Sequence, residues 1–160
     1  MASIKQFEDL ICWQRARELT KYIYKICRTA DMSRDRGLCD QIQRASVSVM
    51  SNIAEGFERG TKQELINYFY IAKGSCAEVR CQLHVAFDTG YIDMSEFQYI
   101  YGLANETGRL IESFVQKVKG QGRIGLQYKP VKQPNFVDEF AAEAGLVRMP
   151  DGQYKKKEDL

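Results

Sequence analysis

The sequence QIQRASVSVMSNIAEG at residues 41–56 decides the fold. Along this stretch and just before it, apolar residues recur at steps of three and four, which places them on one face of an α-helix. These residues are Leu38, Ile42, Ala45, Val49 and Ile53. A polar stripe with the same period runs beside them and comprises Gln41, Arg44, Ser48, Ser51, Asn52 and Glu55.

The polar stripe is rich in serine and asparagine, which are poor choices for an ordinary helix surface. Each is roughly 0.5 kcal/mol worse than alanine as a helix former. We therefore expect the stripe to make buried, hydrogen-bonded contacts between helices or subunits, because buried polar groups need matched partners. The alternative is a solvated helix face that happens to contain many serines.

Three further helical patterns flank this central helix. Helix one is predicted over residues 7–28, helix two over 37–58 with its end near Gly56 and Gly60, helix three from 62 to Gly90, and helix four from 94 to 119. Capping boxes open the last two, with Thr61 before Glu64 and Asp93 before Glu96. Short loops make successive long helices antiparallel neighbours. The sequence therefore predicts an all-α fold, an antiparallel up-down-up-down four-helix bundle over residues 1–119 with a C-terminal extension.

The turn between helices two and three also predicts a register. If the chain reverses around residues 57–61, Gln41 lies opposite Glu78, Arg44 opposite Ser75, and Asn52 opposite Asn67. Ser75 and Glu78 would then complete the polar stripe from the other helix, with Arg44 within reach of Glu78.

The extension, residues 120–160, changes character. Its glycines and prolines predict a flexible and then extended linker, followed by a possible short helix at 135–144. This tail would either stay disordered or dock on its own bundle, on a neighbour or on a partner.

Composition limits the classes of protein that remain. The chain has 160 residues, 44% hydrophobic and 28% charged, as in a soluble globular protein. Its five cysteines are odd in number and form no C-x-x-C pair, which indicates buried thiols in a reducing compartment. We find no signal peptide and no stretch long enough to cross a membrane, so we expect a cytoplasmic protein with no membrane partner.

Positive charge is concentrated on helix one and the loop after it. Between Leu10 and Arg36 the chain has seven basic and three acidic residues, although its formal net charge is only +2. The basic residues are the candidate nucleic-acid-binding residues: Arg15, Arg17, Lys21, Lys25, Arg28, Arg34 and Arg36. Such a patch would contact phosphates, and its alternative is a solvated helix face.

The sequence offers little for catalysis. His84 is the single histidine, with Cys81 and Asp88 one helical turn away on either side. Zinc sites normally need three or four ligands, and no phosphate-binding glycine loop occurs. We expect neither enzyme activity, nor a metal, nor a cofactor.

Several motifs resemble one family. They are Phe7-Glu8-Asp9-Leu10 with Trp13-Gln14, Gln41-Ile42-Gln43-Arg44-Ala45, Ser51-Asn52-Ile53-Ala54-Glu55-Gly56-Phe57, Ala72-Lys73-Gly74-Ser75 with Glu78, Gln82 and Leu83, and Thr89-Gly90-Tyr91-Ile92. Over about residues 5 to 119 the chain resembles the bacterial S23-type four-helix-bundle proteins encoded in intervening sequences of large-subunit ribosomal RNA genes. It departs from them at Met50 and near residues 30–32, where the family usually has proline, and the tail lies outside their pattern.

The resemblance implies a homopentamer of five bundles around a central channel. It also implies kinship with the accessory variability protein of diversity-generating retroelements, a basic pentameric barrel that binds nucleic acid and works with a reverse transcriptase. Five tyrosines near the core stripes would supply surface for oligomer contacts, namely Tyr22, Tyr24, Tyr68, Tyr70 and Tyr99.

Two functions of different classes follow. One is a non-enzymatic pentameric scaffold that binds structured RNA or DNA through basic faces and assists a partner enzyme such as a reverse transcriptase. The other is a protein–protein interaction module without nucleic-acid binding, which uses its polar stripe and C-terminal tail.

Overall fold

The structure is a computed structural model that describes residues 4–120, 141, 143–149 and 153–156. The chain forms two compact units, Met1–Gly122 and Arg123–Leu160. The first unit contains four helices, α1 (Ile11–Ile26), α2 (Arg36–Glu58), α3 (Lys62–Asp88) and α4 (Met94–Gly120), with short 3-10 turns at Phe7–Asp9 and Met32–Arg34. No described helix is long and apolar enough to cross a membrane.

The predicted four-helix bundle with a C-terminal extension is confirmed. Each helix packs against the next along the chain, and α1 closes the bundle against α4. Contacts along the seams run in opposite directions: Ser48 of α2 meets Ser75 of α3, and Lys73 of α3 meets Glu112 of α4. The helices are therefore antiparallel neighbours.

The second unit contains a small antiparallel pair of strands that the sequence does not predict. Strand β1 (Leu146–Arg148) pairs with β2 (Tyr154–Lys156), with Val147 opposite Lys155. Of the predicted helix at 135–144, Ala141 and Glu143 are helical, and residues 135–140 and 142 lie outside the described residues. The rest of the predicted linker from 121 onward also lies outside them.

Polar side chains start three of the helices. Asp35 accepts the Leu38 amide at 3.0 Å and opens α2. Both predicted N-caps are present: the Glu64 amide donates to Thr61 Oγ1 at 3.2 Å, and the Glu96 amide donates to Asp93 Oδ1 at 2.8 Å. The Asp93 amide returns a bond to Glu96 Oε2 and completes that capping box, whereas Glu64 accepts from the Thr61 hydroxyl. These contacts satisfy amides that have no partner inside the helix.

Helix one begins later than predicted. Gln6 and Asp9 form a capping box around their own 3-10 turn, and Leu10 then adopts an extended conformation. The extended residue interrupts the helical path, so α1 starts at Ile11 and not at Phe7. Leu10 itself is buried.

The apolar stripes meet in a core with two adjoining clusters. One gathers Leu19, Ile23, Ile42, Leu83 and Ile100, and the other gathers Val49, Ile53, Phe69, Ile111 and Val115, each no more than 1% exposed. The predicted core face of α2 is thus confirmed. The Phe69 ring stacks on Phe114 with centroids 5.0 Å apart.

Gly56 has a different role from the predicted one. Helix α2 continues through it to Glu58, so it does not end the helix. A Cβ atom at Gly56 would lie 2.8 Å from Tyr68 Cβ and 3.3 Å from the Leu65 carbonyl oxygen. Gly56 therefore permits the close approach of α2 and α3 beside their turn. Gly90, with φ of 78°, does end α3 as predicted.

The cysteines are buried with one exception. Cys12, Cys27, Cys39 and Cys76 are buried, whereas Cys81 is exposed, which corrects the expectation of five buried thiols. The heptad of α3 places Cys76 on the core side of the helix and Cys81, five residues later, on the solvent side. Burial raises the pKa of the Cys12 thiol to about 11 and that of Cys76 to about 12.

Candidate nucleic-acid interface

Six of the seven candidate nucleic-acid-binding residues are exposed. They are Arg17, Lys21, Lys25, Arg28, Arg34 and Arg36. The first four recur at steps of four, four and three, so they share one outer face of α1 and its end. None of the six forms an ion pair with a described residue. The structure therefore presents cations on this face that no carboxylate of the bundle neutralises.

Arg15 is different from the other six. Its guanidinium is 2.7 Å from Glu18 and 3.3 Å from Glu106 of α4, and the hydrogen bond to Glu18 raises the pKa of Arg15. Glu18 also accepts the hydroxyl of Tyr99 at 3.1 Å. Arg15 thus belongs to a polar cluster that joins α1 to α4, and it is less available for phosphate than its neighbours.

The acidic residues of the same region are partly occupied. Glu18 is engaged by Arg15, which lowers the pKa of that carboxyl. Asp35 caps α2 and lies 3.4 Å from the hydroxyl of Tyr91. Two of the three carboxylates among residues 10–36 thus make contacts within the bundle, and neither pairs with one of the six exposed cations.

Aromatic rings accompany two of the cations. The Lys25 ammonium lies 5.9 Å from the centroid of Tyr22, and the Arg17 guanidinium lies 6.0 Å from that of Trp13. Tyr22 in turn packs edge to face on Tyr99 with centroids 4.8 Å apart. These rings hold the cations by weak cation–π contacts. Tyr24, 37% exposed, is the ring that an unpaired base would reach most readily on α1.

The inner part of the polar stripe makes one hydrogen bond between helices, with partners that differ from the predicted ones. The hydroxyls of Ser48 and Ser75 are hydrogen-bonded at 2.9 Å, and Asn52 Nδ2 donates to Ser48 Oγ at 3.0 Å and to the Ser48 carbonyl at 2.8 Å. Ser75 also donates to the carbonyl of Ile71 at 3.2 Å. This small network links α2 to α3 beside the core.

The predicted register is wrong by one helical turn. Ser75 faces Ser48 and not Arg44. The cause lies beside the turn, where Gly56 packs against Tyr68 and fixes which residues meet along the rest of the seam. Gln41, Arg44, Glu78 and Gln82 all line one groove beyond that point.

The outer part of the stripe faces solvent. Gln41, Arg44, Ser51 and Glu78 are exposed. The Arg44 side chain is 80% exposed and pairs with Asp40 of its own helix at 3.0 Å, so the predicted pairing with Glu78 is not formed. Glu55 pairs with Arg59 of the turn, which lowers the pKa of the Glu55 carboxyl.

A groove runs between α2 and α3 along this outer part. It encloses about 420 Å³ and is lined by Gln41, Arg44, Ala45, Ser48, Glu78 and Gln82. The Oε1 atom of Gln82 is buried there and accepts no hydrogen bond within the described residues. A second surface, between α3 and α4, brings together Lys73, Arg80 and Arg109. Sequence reasoning missed these three, because they lie on different helices and form no run.

The tyrosines expected at oligomer contacts are mostly engaged within the chain. Tyr68 accepts a hydrogen bond from Arg59 at 2.9 Å, and Tyr70 accepts one from Lys119 at 2.8 Å. Tyr24, Tyr70 and Tyr99 remain 37% to 48% exposed. Other exposed large apolar side chains, between 39% and 64% exposed, are Ile4, Ile11, Val47, Ile71, Val85 and Met94.

The described residues contain no group of three histidine, cysteine or acidic side chains that could hold a metal ion. His84 is exposed and packs against the rings of Phe97, 5.0 Å away, and Tyr101, 5.5 Å away. The imidazole thus belongs to an aromatic contact between α3 and α4.

Fold and surface together define a helical-bundle protein with a basic first helix and a serine-linked contact between its second and third helices. The chain belongs to the 23S rRNA-intervening sequence protein family, whose model matches residues 8–113. This confirms the family that the motifs predict.

A solved structure shares the fold. It is a protein of unknown function from the S23 ribosomal protein family of Bacteroides thetaiotaomicron VPI-5482. It is 22% identical to this chain, with a TM-score of 0.61, and the match covers 66% of this chain and 99% of that one. No curated protein matches the chain.

Proposed function

We propose that this protein is a non-enzymatic, homo-oligomeric scaffold that binds structured RNA or DNA through the basic face of α1. The observation that carries the proposal is the set of exposed cations on that face without ion-pair partners among the described residues, Arg17, Lys21, Lys25 and Arg28. Phosphate groups are their natural counter-charges. By analogy with the family, the scaffold is a pentamer that assists a partner enzyme such as a reverse transcriptase.

Oligomerisation decides whether this face is an effective binding surface. Four cations on one bundle make few phosphate contacts, and such binding is weak at physiological salt. Two or three contacts per subunit, repeated in a pentamer, would give roughly 10 to 15 neutralised phosphates in one ring. Binding would then be tight and would fall steeply with salt. Sequence selectivity would be low, because the face offers charge and one exposed tyrosine ring.

Exposed apolar residues support self-association. Ile71 and Val85 project from the outer side of α3 at 52% and 45% exposure, and Val47 lies on α2 at 39%. Apolar side chains of this size on a bundle surface are typical of protein contacts when they cluster. Val85 lines the surface between α2 and α3 together with Gln41, Glu78 and Gln82, whereas the α1 cations lie elsewhere. Assembly through α2 and α3 would leave the basic face open.

The test reverses charge on the α1 face. Changing Arg17, Lys21, Lys25 and Arg28 together to Glu should abolish the gel shift of a labelled RNA hairpin. In a matched control, the two arginines become Lys and the two lysines become Arg. This variant keeps the charge and should keep the affinity and the dependence of affinity on salt concentration. Circular dichroism and light scattering must show both variants folded and equally oligomeric. Unchanged affinity in the Glu variant would contradict the proposal.

A second function, a protein–protein interaction module, is favoured by one observation. The buried Gln82 Oε1 has no donor among the described residues, and the Gln82 residue lines the groove between α2 and α3. Buried acceptors normally have partners, and a partner protein seated in the groove would supply the donor. If this function is correct, Gln82→Leu should weaken the affinity for the partner protein and leave RNA binding unchanged. The variant with four Glu on the α1 face should bind the partner protein as tightly as the unchanged protein does.

A further inference from the structure

A cleft between α3 and α4 has an unusual set of charges. It encloses about 170 Å³, and its walls carry Lys73 and Arg80 from α3 and Arg109 and Glu112 from α4. A single water needs roughly 10–15 Å³ measured in the same way, so the cleft admits a polyatomic ion. Cys76, Ala104 and Gly108 form an apolar floor, and Asn105 adds an amide.

The single carboxylate in this wall is already engaged. Lys73 Nζ lies 2.7 Å from Glu112, and Gln116 donates to the other oxygen of the same group. These hydrogen bonds, with that from Lys73 the stronger, lower the pKa of Glu112 and keep it ionised. Lys73 and Glu112 therefore neutralise each other, and the two guanidinium groups of the cleft are left without an acid.

Arg80 is held in place yet incompletely paired. Its guanidinium carbon lies 5.8 Å from the centroid of Tyr101, and its Nε atom is buried with no acceptor among the described residues. A shielded, charged donor without a partner is unfavourable, since hydrogen bonds to charged groups are among the stronger ones in proteins. Arg109 is exposed at the mouth of the cleft and has no partner among the described residues.

We propose that this cleft binds a phosphate oxyanion, with Arg80 and Arg109 as its principal ligands and Asn105 as a further donor. A guanidinium presents paired N–H groups that match two oxygens of a tetrahedral oxyanion, so two of them on facing helices form a clamp. The oxyanion belongs to a free phosphate or phosphomonoester, or to the backbone of a nucleic acid. Arg80 and Arg109 lie on α3 and α4, so this site uses different residues from the basic face of α1 and goes beyond the function proposed above.

Calorimetry with inorganic phosphate tests the site on the full-length protein. Phosphate is titrated against a chloride control of equal ionic strength. We expect saturable binding of one phosphate per chain, at least tenfold weaker in Arg109→Gln and in Arg80→Gln. Arg109→Lys should restore part of it, since the charge remains and the paired donors are lost. Lys117→Gln, which removes an exposed cation from the same helix outside the cleft, should bind as the unchanged protein does.

The outcomes separate this site from α1. Because Arg109 is exposed, its substitution should leave thermal unfolding unchanged, so loss of binding there cannot be attributed to unfolding. Absence of saturable phosphate binding would overturn the proposal, as would phosphate binding that survives Arg109→Gln and disappears when the four α1 cations become Glu.

Competition identifies the source of the oxyanion. In the four-Glu α1 variant, displacement of bound phosphate by a nucleoside 5′-monophosphate but not by duplex RNA assigns a free or terminal phosphate. Displacement by duplex RNA assigns the nucleic-acid backbone and adds a second contact surface. The phosphate titration decides whether the site exists. The competition experiment then decides which phosphate compound occupies it.

Discussion

Replacement of Gly56 by alanine should destabilise the bundle even though it improves helix propensity. Alanine is about 1 kcal/mol better than glycine inside a helix. At Gly56, however, the new methyl group would lie 2.8 Å from Tyr68 Cβ and 3.2 Å from Phe69 Cδ2. Because the first of these atoms is fixed to the α3 backbone, a rotamer change cannot relieve the contact and the helices must separate. Overpacking costs about 1–3 kcal/mol, and a 2.8 Å contact with an atom that cannot move away belongs at the upper end of that range. After the gain in helix propensity we expect a net loss of roughly 1–2 kcal/mol.

Gly74→Ala is the matched control. Gly74 is also in mid-helix, and a Cβ atom there meets nothing within 4 Å. Only the propensity term remains, so this variant should be stabilised by up to about 1 kcal/mol. Both are measured by guanidinium chloride unfolding at one protein concentration, from the midpoints at unchanged slope. If Gly56→Ala were as stable as the unchanged protein, or if both variants shifted in the same direction, the close approach of α2 and α3 at this residue would be refuted.

Three further predictions address the seam, the acid branch of stability and the thiols. In a double-mutant cycle, Ser48→Ala and Ser75→Ala should show a coupling free energy of about 0.5–1.5 kcal/mol, the value of one hydrogen bond; additive losses would contradict the 2.9 Å contact. The lowered pKa of Glu112 means that its pair with Lys73 stabilises the fold above the unfolded-state pKa, and this contribution disappears as pH falls through the lower folded pKa. The unchanged protein should therefore be more stable than Glu112→Gln at pH 7 by at most about 1 kcal/mol, because the pair is exposed, and the difference should vanish in acid. A difference that grew in acid would exclude this pairing. At pH 8 a thiol reagent should modify Cys81 first, because it is exposed. Cys12 and Cys76 should react only on unfolding, since burial raises their pKa values to about 11 and 12. If the Cys81→Ser variant kept the same number of fast-reacting thiols, the exposure of Cys81 would be contradicted.

Helix periodicity made the bundle predictable from sequence. The core face of α2, from Leu38 to Ile53, depends only on spacing along one helix, and the two capping boxes are local signals. The core face is read from a window of about 11–18 residues and each capping box from about four. For the same reason the family motifs, which combine these local signals, identified the family.

The register between α2 and α3 was not predictable in this way. It depends on how closely the two backbones approach at Gly56, and this is a property of both helices and of the extended residue Arg59 between them. A shift of four residues moves each side chain by one helical turn and keeps the core face unchanged. The apolar pattern therefore could not distinguish the two registers, and Ser75 was assigned the wrong partner.

Charge pairing across helices was equally hidden in the sequence. Arg15 belongs to the same run of basic residues as the other cations of α1, but Glu106 lies more than ninety positions away and meets it only in the folded bundle. In the same way, Arg80 and Arg109 are single residues on separate helices, and only the packing of α3 on α4 places them in one cleft. The spacing of basic residues along the sequence is enough to identify a basic helix. The packing of the helices decides which of its cations form ion pairs.

The distribution of these ion pairs explains how a chain of modest net charge presents strongly basic surfaces. The ion pairs described above, together with Arg59 and Glu64 at the turn, use four cations, Arg15, Arg44, Arg59 and Lys73, and six carboxylates, Glu18, Asp40, Glu55, Glu64, Glu106 and Glu112. More acid than base is therefore consumed inside these contacts, and the remaining residues carry a larger positive excess than the formal +2. Surface pairs of this kind add little stability, at most about 1 kcal/mol each. Their larger consequence is electrostatic, since none of these carboxylates pairs with Arg17, Lys21, Lys25 or Arg28 on the outer face of α1 or with Arg80 and Arg109 in the α3–α4 cleft, and these cations stay available to an anionic partner.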